Sequence, residues 1–202
     1  MTEFKKAIKG QIAPLKNIHS VRLVQLFIDL SVSYVYEKYN ARKPNTNAIK
    51  YSLVKLGHEL NYRVYANGLN PGQAEEQHIE HGFENKEFLF DVQWYVDKKG
   101  EFYTPEWVPL VAESEFGDRR KNDKSSLASP AIKFDFQKLL LANAALRLMI
   151  FKTKDLHDLL KLECYFDNAI RSYTLLEQGA TFLFICFIHG TKELYYAEKY
   201  KY

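Results

Sequence analysis

Between residues 87 and 147 the chain sets five ionisable side chains into segments that otherwise read as core. EFLFDVQWYV carries one acid, Asp91, inside an apolar run. VPLVAESEFG carries two, Glu113 and Glu115. FDFQKLLLANAALR follows, with Asp135 and Lys138 in its first turns. Burying an unpaired carboxylate costs several kcal/mol, so acids in such runs need a counter-charge. A divalent cation is one answer. Mg2+ takes oxygen ligands, often few protein carboxylates, and completes its shell with water and substrate phosphate. Held this way it lowers the pKa of a bound water and clamps phosphate oxygens, the chemistry of phosphodiester hydrolysis. The plainer alternative is that each acid lies at a strand end, reaching solvent or pairing with Arg119 and Arg120.

The elements that would position these groups follow from periodicity. Apolar residues at Val21, Val24, Phe27, Ile28, Tyr34 and Val35 predict an amphipathic helix over 21–39. ARKPNTN reads as a break, with Pro44 and Asn45 ending one helix and Asn45 or Thr46 capping the next. Ile49, Leu53, Leu56, Leu60 and Val64 predict a second helix over 47–65. Strands are expected over 87–96 and 108–117, then a polar loop, a helix over 132–147 and a strand over 146–153. A long helix over 155–178 stops before Gly179, and two strands joined at Gly190 read as a terminal hairpin. Helices interleave with a strand-rich centre. The expected class is therefore α/β, a central mixed sheet flanked by helices, in one domain spanning 1–202.

Strand alternation sorts the acids by face. On the first strand Leu89, Asp91, Gln93 and Tyr95 are expected on one side. Phe88, Phe90, Val92, Trp94 and Val96 are expected on the other, which is wholly apolar. On the second, Val111, Glu113 and Glu115 share a face opposite Leu110, Ala112 and Ser114. If the strands are neighbours, Asp91 joins the two glutamates. Such a group repels itself unless a positive charge sits among it.

The succession strand-Asp, strand-Glu-x-Glu, helix-DFQK resembles the PD-(D/E)XK nuclease superfamily, the fold of many restriction endonucleases. The resemblance covers about residues 45–152 and implies an α-β-β-β-α-β core. It implies that Asp91 and Glu113 hold Mg2+ or Mn2+, and that a lysine orients or activates water. Glu115 stands where that lysine is usual; some restriction enzymes also carry a glutamate there, as a further ligand or general base. In other members the lysine has moved to the following helix, a role open to Lys138. Phe90 replaces the usual proline. The first core helix often offers a metal-side glutamate, here Glu59, although Lys55 and Arg63 would give it ordinary surface partners. Gln137 beside Lys138 reads as a contact to phosphate or simply a solvent-facing residue. The implied function is a metal-dependent DNA endonuclease, in restriction or in DNA repair and recombination. A homodimer is one way to cut two strands. The alternative is a catalytically decayed nucleic-acid-binding or assembly protein on the same fold.

The remaining composition bounds these readings. A net charge of +3 permits a nucleic-acid partner without arguing for one. The loop GDRRKNDKSS offers Arg119, Arg120, Lys121 and Lys124 to a phosphate backbone, with Asp118 and Asp123 partly cancelling them. Cys164 and Cys186 lack metal spacing and read as reduced thiols. HIEH, with His78 and His81, is only loosely metal-like, and no zinc, Walker, Rossmann or GxSxG motif appears. The longest apolar run, ATFLFICFI, is too short to span a bilayer as a helix, and the start lacks a secretory signal's apolar run. A cytoplasmic location without membrane attachment is the expectation.

Overall fold

The computed structural model describes residues 3–33, 42–69, 89–101, 103–116 and 129–202. In chain order the elements are β1 (Lys5–Lys6), α1 (Ile18–Ser33), α2 (Arg42–Glu59), β2 (Arg63–Ala66), β3 (Val92–Asp97) and β4 (Pro105–Glu115). They continue with α3 (Pro130–Leu141), β5 (Leu146–Thr153), α4 (Leu156–Ser172), β6 (Thr181–Ile188) and β7 (Glu193–Tyr200). The strands form a seven-stranded mixed sheet in the order β1-β7-β6-β5-β4-β3-β2. The α/β class expected from the sequence is the class observed.

β2, β3 and β4 form an antiparallel meander, and β4 then pairs parallel with β5. A parallel neighbour needs a crossover, which α3 supplies; α4 does the same between the parallel strands β5 and β6. β6 and β7 close the chain as the expected antiparallel hairpin. Two apolar layers enclose the sheet. Leu23, Phe27, Leu53 and Val54 of α1 and α2 pack on Val92, Trp94, Leu110 and Ala112. Phe136 of α3 and Phe166 of α4 pack on Val111, Met149, Phe182 and Phe184 on the opposite face. β5 and β6 are covered on both sides, which is why LRLMIF and FLFICFI are continuous apolar runs rather than alternating ones.

Four expected boundaries move, each for a visible reason. The break at 41–47 is instead the start of α2: Pro44 falls in its first turn, where backbone N–H groups have no intrahelical acceptor to lose. The second helix ends at Glu59, not residue 65. Asn61 adopts a left-handed φ of 60°. Tyr62 N donates to Gly57 O at 2.9 Å and Asn61 N to His58 O at 2.8 Å, the Schellman pattern that closes a helix. RVYA is thereby released to form β2. α3 stops at Leu141, where Ala142 turns to an extended conformation and Arg147 takes the carbonyls just past the helix. Arg147 Nη2 donates to Ala142 O at 2.7 Å and Nη1 to Ala144 O at 2.8 Å. α4 ends at Ser172 for the same kind of reason: Lys201 Nζ donates to Ile170 O, Arg171 O and Tyr173 O. Buried cations thus cap both crossover helices at their negative ends.

α2 lies on β3 at one close approach. Trp94 Nε1 donates to Leu53 O at 3.0 Å. A Cβ on Gly57 would stand 2.6 Å from Trp94 Nε1 and 2.8 Å from Val64 Cγ2. Gly57→Ala should therefore push the helix off the strand and destabilise the protein by about 1–3 kcal/mol despite alanine's better helix propensity. A lower urea midpoint would show it. An unchanged or raised midpoint would mean that α2 and β3 separate at little cost.

Candidate metal centre

Asp91 lies immediately before β3, and this changes its orientation. Asp91 itself is a bend between the bridge residue Phe90 and the strand, so regular alternation does not extend back through it. Phe90 packs with the α3–α4 layer, opposite the face of Val92 and Trp94 that it was expected to share. Asp91 is consequently not held on Gln93's face by alternation. Its carboxylate reaches along the end of the ladder: Oδ2 accepts from Ser114 N at 2.9 Å and Ser114 Oγ at 2.6 Å. The carboxylate caps a β4 amide that lies beyond the Val92–Ala112 pair. Backbone bonding fixes Asp91 as well, since Asn67 N donates to Asp91 O at 2.9 Å.

Glu113 is one residue past the Val92–Ala112 pair, near enough to Asp91 for that charge to act on it. It points to the α3–α4 side with Val111, and only 2% of its surface is exposed. Lys138 of α3 reaches it, with Nζ 2.9 Å from Glu113 Oε1 and 3.0 Å from Asp135 Oδ1. Asp135 and Lys138 share a helix face by their i, i+3 spacing, and Phe136 between them anchors that helix in the aromatic core against Phe166. Burial, reinforced by the Asp91 charge, pushes the Glu113 carboxyl up to about 8 against the pull of Lys138. Asp135 adds to the same repulsion.

The structure therefore brings Glu113, Asp135 and Lys138 into contact, with Asp91 near enough for its charge to act on Glu113. Glu115 continues along the Glu113 face, half-buried, opposite Phe151 of β5. Glu59 is not gathered. It is exposed in the last turn of α2, nine residues from Lys50 and so half a rotation away from the side that meets Asp91. Gln137 is exposed and hydrogen-bonds Tyr165. Arg119, Arg120, Lys121, Lys124, His78 and His81 lie outside the described residues.

One participant was not anticipated. Lys50 of α2 is 7% exposed, and its Nζ stands 2.8 Å from both Asp91 Oδ1 and Asn67 O. The sequence carried a signal for it: Lys50, Val54 and Gly57 follow the i, i+4, i+7 line that α2 lays on the sheet. A cation on that line was a candidate partner for an acid below it. Among the described residues, Asp155, His157 and Asp158 place ligand atoms within 4.8 Å of one another, which Asp91, Glu113 and Asp135 do not. There Asp155 is already the N-cap of α4, accepting from Asp158 N at 3.0 Å, and His157 is exposed. Among the described residues no helix is long and apolar enough to cross a membrane.

Comparison with family models, curated proteins and solved structures yields no match for this chain.

Proposed function

We propose that this chain is a divalent-metal-dependent nuclease acting on DNA. The observation that carries the reading is the convergence of a buried carboxylate, Glu113, with Asp91 beside it and Lys138 at 2.9 Å. Helix α2, the β2–β3–β4 meander, crossover α3 and parallel β5 follow the α-β-β-β-α-β succession that the sequence resemblance implies. That agreement supports the reading.

The donor set fits Mg2+ or Mn2+. It is all oxygen, with no thiol or imidazole near Asp91 and Glu113 among the described residues to favour zinc. Ser114 uses Asp91 Oδ2 twice, which leaves Oδ1 and the Glu113 carboxylate to hold an ion. A bound divalent cation would activate water and offset charge on the scissile phosphate. Lys138 opposes the protonation of Glu113 that burial favours, and lies near enough to the acids to orient water or meet a phosphate oxygen. Asp135 fixes the Lys138 ammonium from its own helix. Glu115 serves as a further ligand or general base at the rim. The duplex would approach with the segment carrying Arg119, Arg120, Lys121 and Lys124, and paired cuts would call for a homodimer. A cytoplasmic setting suits the two free thiols, Cys164 and Cys186.

Supercoiled plasmid incubated with the protein and Mg2+ or Mn2+ should become nicked or linear, and chelator should stop it. DNA binding without cleavage under either metal would instead favour a nucleic-acid-binding or assembly role. Glu115 in the usual lysine position leaves room for that second reading.

A further inference from the structure

Lys50 occupies an unusual position for a helix lysine. Its ammonium touches two oxygens, Asp91 Oδ1 and the Asn67 carbonyl, each at 2.8 Å. A carboxylate oxygen and a backbone carbonyl are also the ligand types of a hard divalent cation. The other Asp91 oxygen is saturated by the amide and hydroxyl of Ser114. Any metal bound at Asp91 must use Oδ1, the oxygen that Lys50 already contacts. Each carboxylate oxygen has two lone-pair directions, so the geometry admits both partners, but as like charges bridged by one atom.

We propose that Lys50 is the resident counter-ion of the metal position. Its ammonium compensates Asp91 while the site is empty, opposes metal binding in the free protein, and makes tight metal binding depend on an incoming phosphodiester. The inference rests on the metal reading of Asp91 and Glu113 and assigns a control to it. Lys50 pairs with Asp91, while Lys138 pairs with both Glu113 and Asp135. The free site is thus close to neutral and attracts a dication weakly. A phosphodiester restores the negative charge. Lys50 then has a second anion to pair with when the ion claims Oδ1. Lys50 acts through Asp91 and is a positioning residue rather than a catalytic one.

Mn2+ binding to the intact chain, followed by electron paramagnetic resonance or calorimetry without DNA, tests this independently of cleavage. Lys50→Met keeps the side chain's length and removes its charge. It should bind Mn2+ at least about tenfold more tightly than wild type, since one repulsive charge beside the ion is gone. Lys50→Arg should stay near wild type, and adding Asp91→Asn to Lys50→Met should abolish the gain. Lys50→Gln provides the same test if the Met variant folds poorly by circular dichroism. Mn2+ should also raise the melting temperature of the neutral variants more than that of wild type. Wild type and neutral variants binding Mn2+ equally, with binding lost in Asp91→Asn, would overturn the role of Lys50 and leave the metal site standing. No Mn2+ binding by wild type or either neutral variant would overturn both.

Discussion

Replacing Asp91 by Ala should abolish metal-dependent plasmid cleavage, lowering the rate by at least about 10²–10³-fold, the scale on which preorganised charge stabilisation acts. The carboxylate has two tasks that the variant removes together. Oδ2 ties the start of β3 to Ser114 through two hydrogen bonds, and Oδ1 is the oxygen left for an ion. Asp91→Asn separates them. Its amide oxygen can still accept from Ser114, so the strand end should stay in place, while the charge that holds a dication is gone. Asn should therefore fold like wild type and cleave about as poorly as Ala. Glu113→Gln should lose a comparable factor, because Gln keeps the shape of the side chain in the α3–α4 layer but not its anionic form. Glu59→Ala, exposed and on the opposite side of α2 from Lys50, should leave the rate within about twofold, as surface substitutions away from a site usually do. Rates at saturating Mg2+ and at limiting Mg2+ distinguish loss of ion affinity from loss of turnover. Undiminished cleavage by Asp91→Asn at both concentrations would remove Asp91 from the site.

What the sequence made legible follows from how rigid each local rule is. β5 falls at 146–153 as expected because a strand covered on both faces is a continuous apolar run bounded by polar residues. The pairing of Asp135 with Lys138 follows from the helix period, which fixes i, i+3 neighbours without reference to the rest of the fold. Alternation sets Glu113 on one face with Val111 and Glu115, and it holds along the regular ladder from Leu110 to Ala112 and beyond. The same rule fails for Phe90, which lies on the α3–α4 side rather than with Val92 and Trp94, because Asp91 between them is a bend outside the ladder. β2 reads as helix in the sequence because Val64 continues the apolar line of Leu53, Leu56 and Leu60. The competing signal was Asn61, which supplies the left-handed C-terminal residue. Lys50 escaped because its partner is tertiary: the line it shares with Val54 and Gly57 turns it toward the sheet, but only the fold sets Asp91 beneath it.

Glu113→Gln should also make the protein more stable at alkaline pH, and the gain should depend on pH in one direction. The Glu113 carboxyl sits at about 8 in the fold against 4.5 for an ordinary glutamate, chiefly because of burial and then the Asp91 charge. A group with a raised folded pKa is protonated in the native state and ionised in the unfolded chain throughout the interval between the two values. The native state then binds the extra proton, so its stability falls as pH rises through that interval and levels off above about 8. Gln does not titrate. The difference in unfolding free energy between Glu113→Gln and wild type should be small near pH 4.5. It should grow to about 1–3 kcal/mol by pH 9, given about 1.36 kcal/mol per unit and the loss of the Lys138 bond in the variant. Urea unfolding at a series of pH values, compared without metal, measures this. Mg2+ should narrow the gap, since a dication favours the ionised carboxylate and stabilises only the chain that retains it. A gap that is flat between pH 5 and 9 would show that Glu113 ionises normally in the fold, with Lys138 fully compensating its burial. Combined with the cleavage loss, a widening gap would mark Glu113 as a residue kept at a cost to stability, as expected for a carboxylate held ready for a cation rather than for the core it sits in.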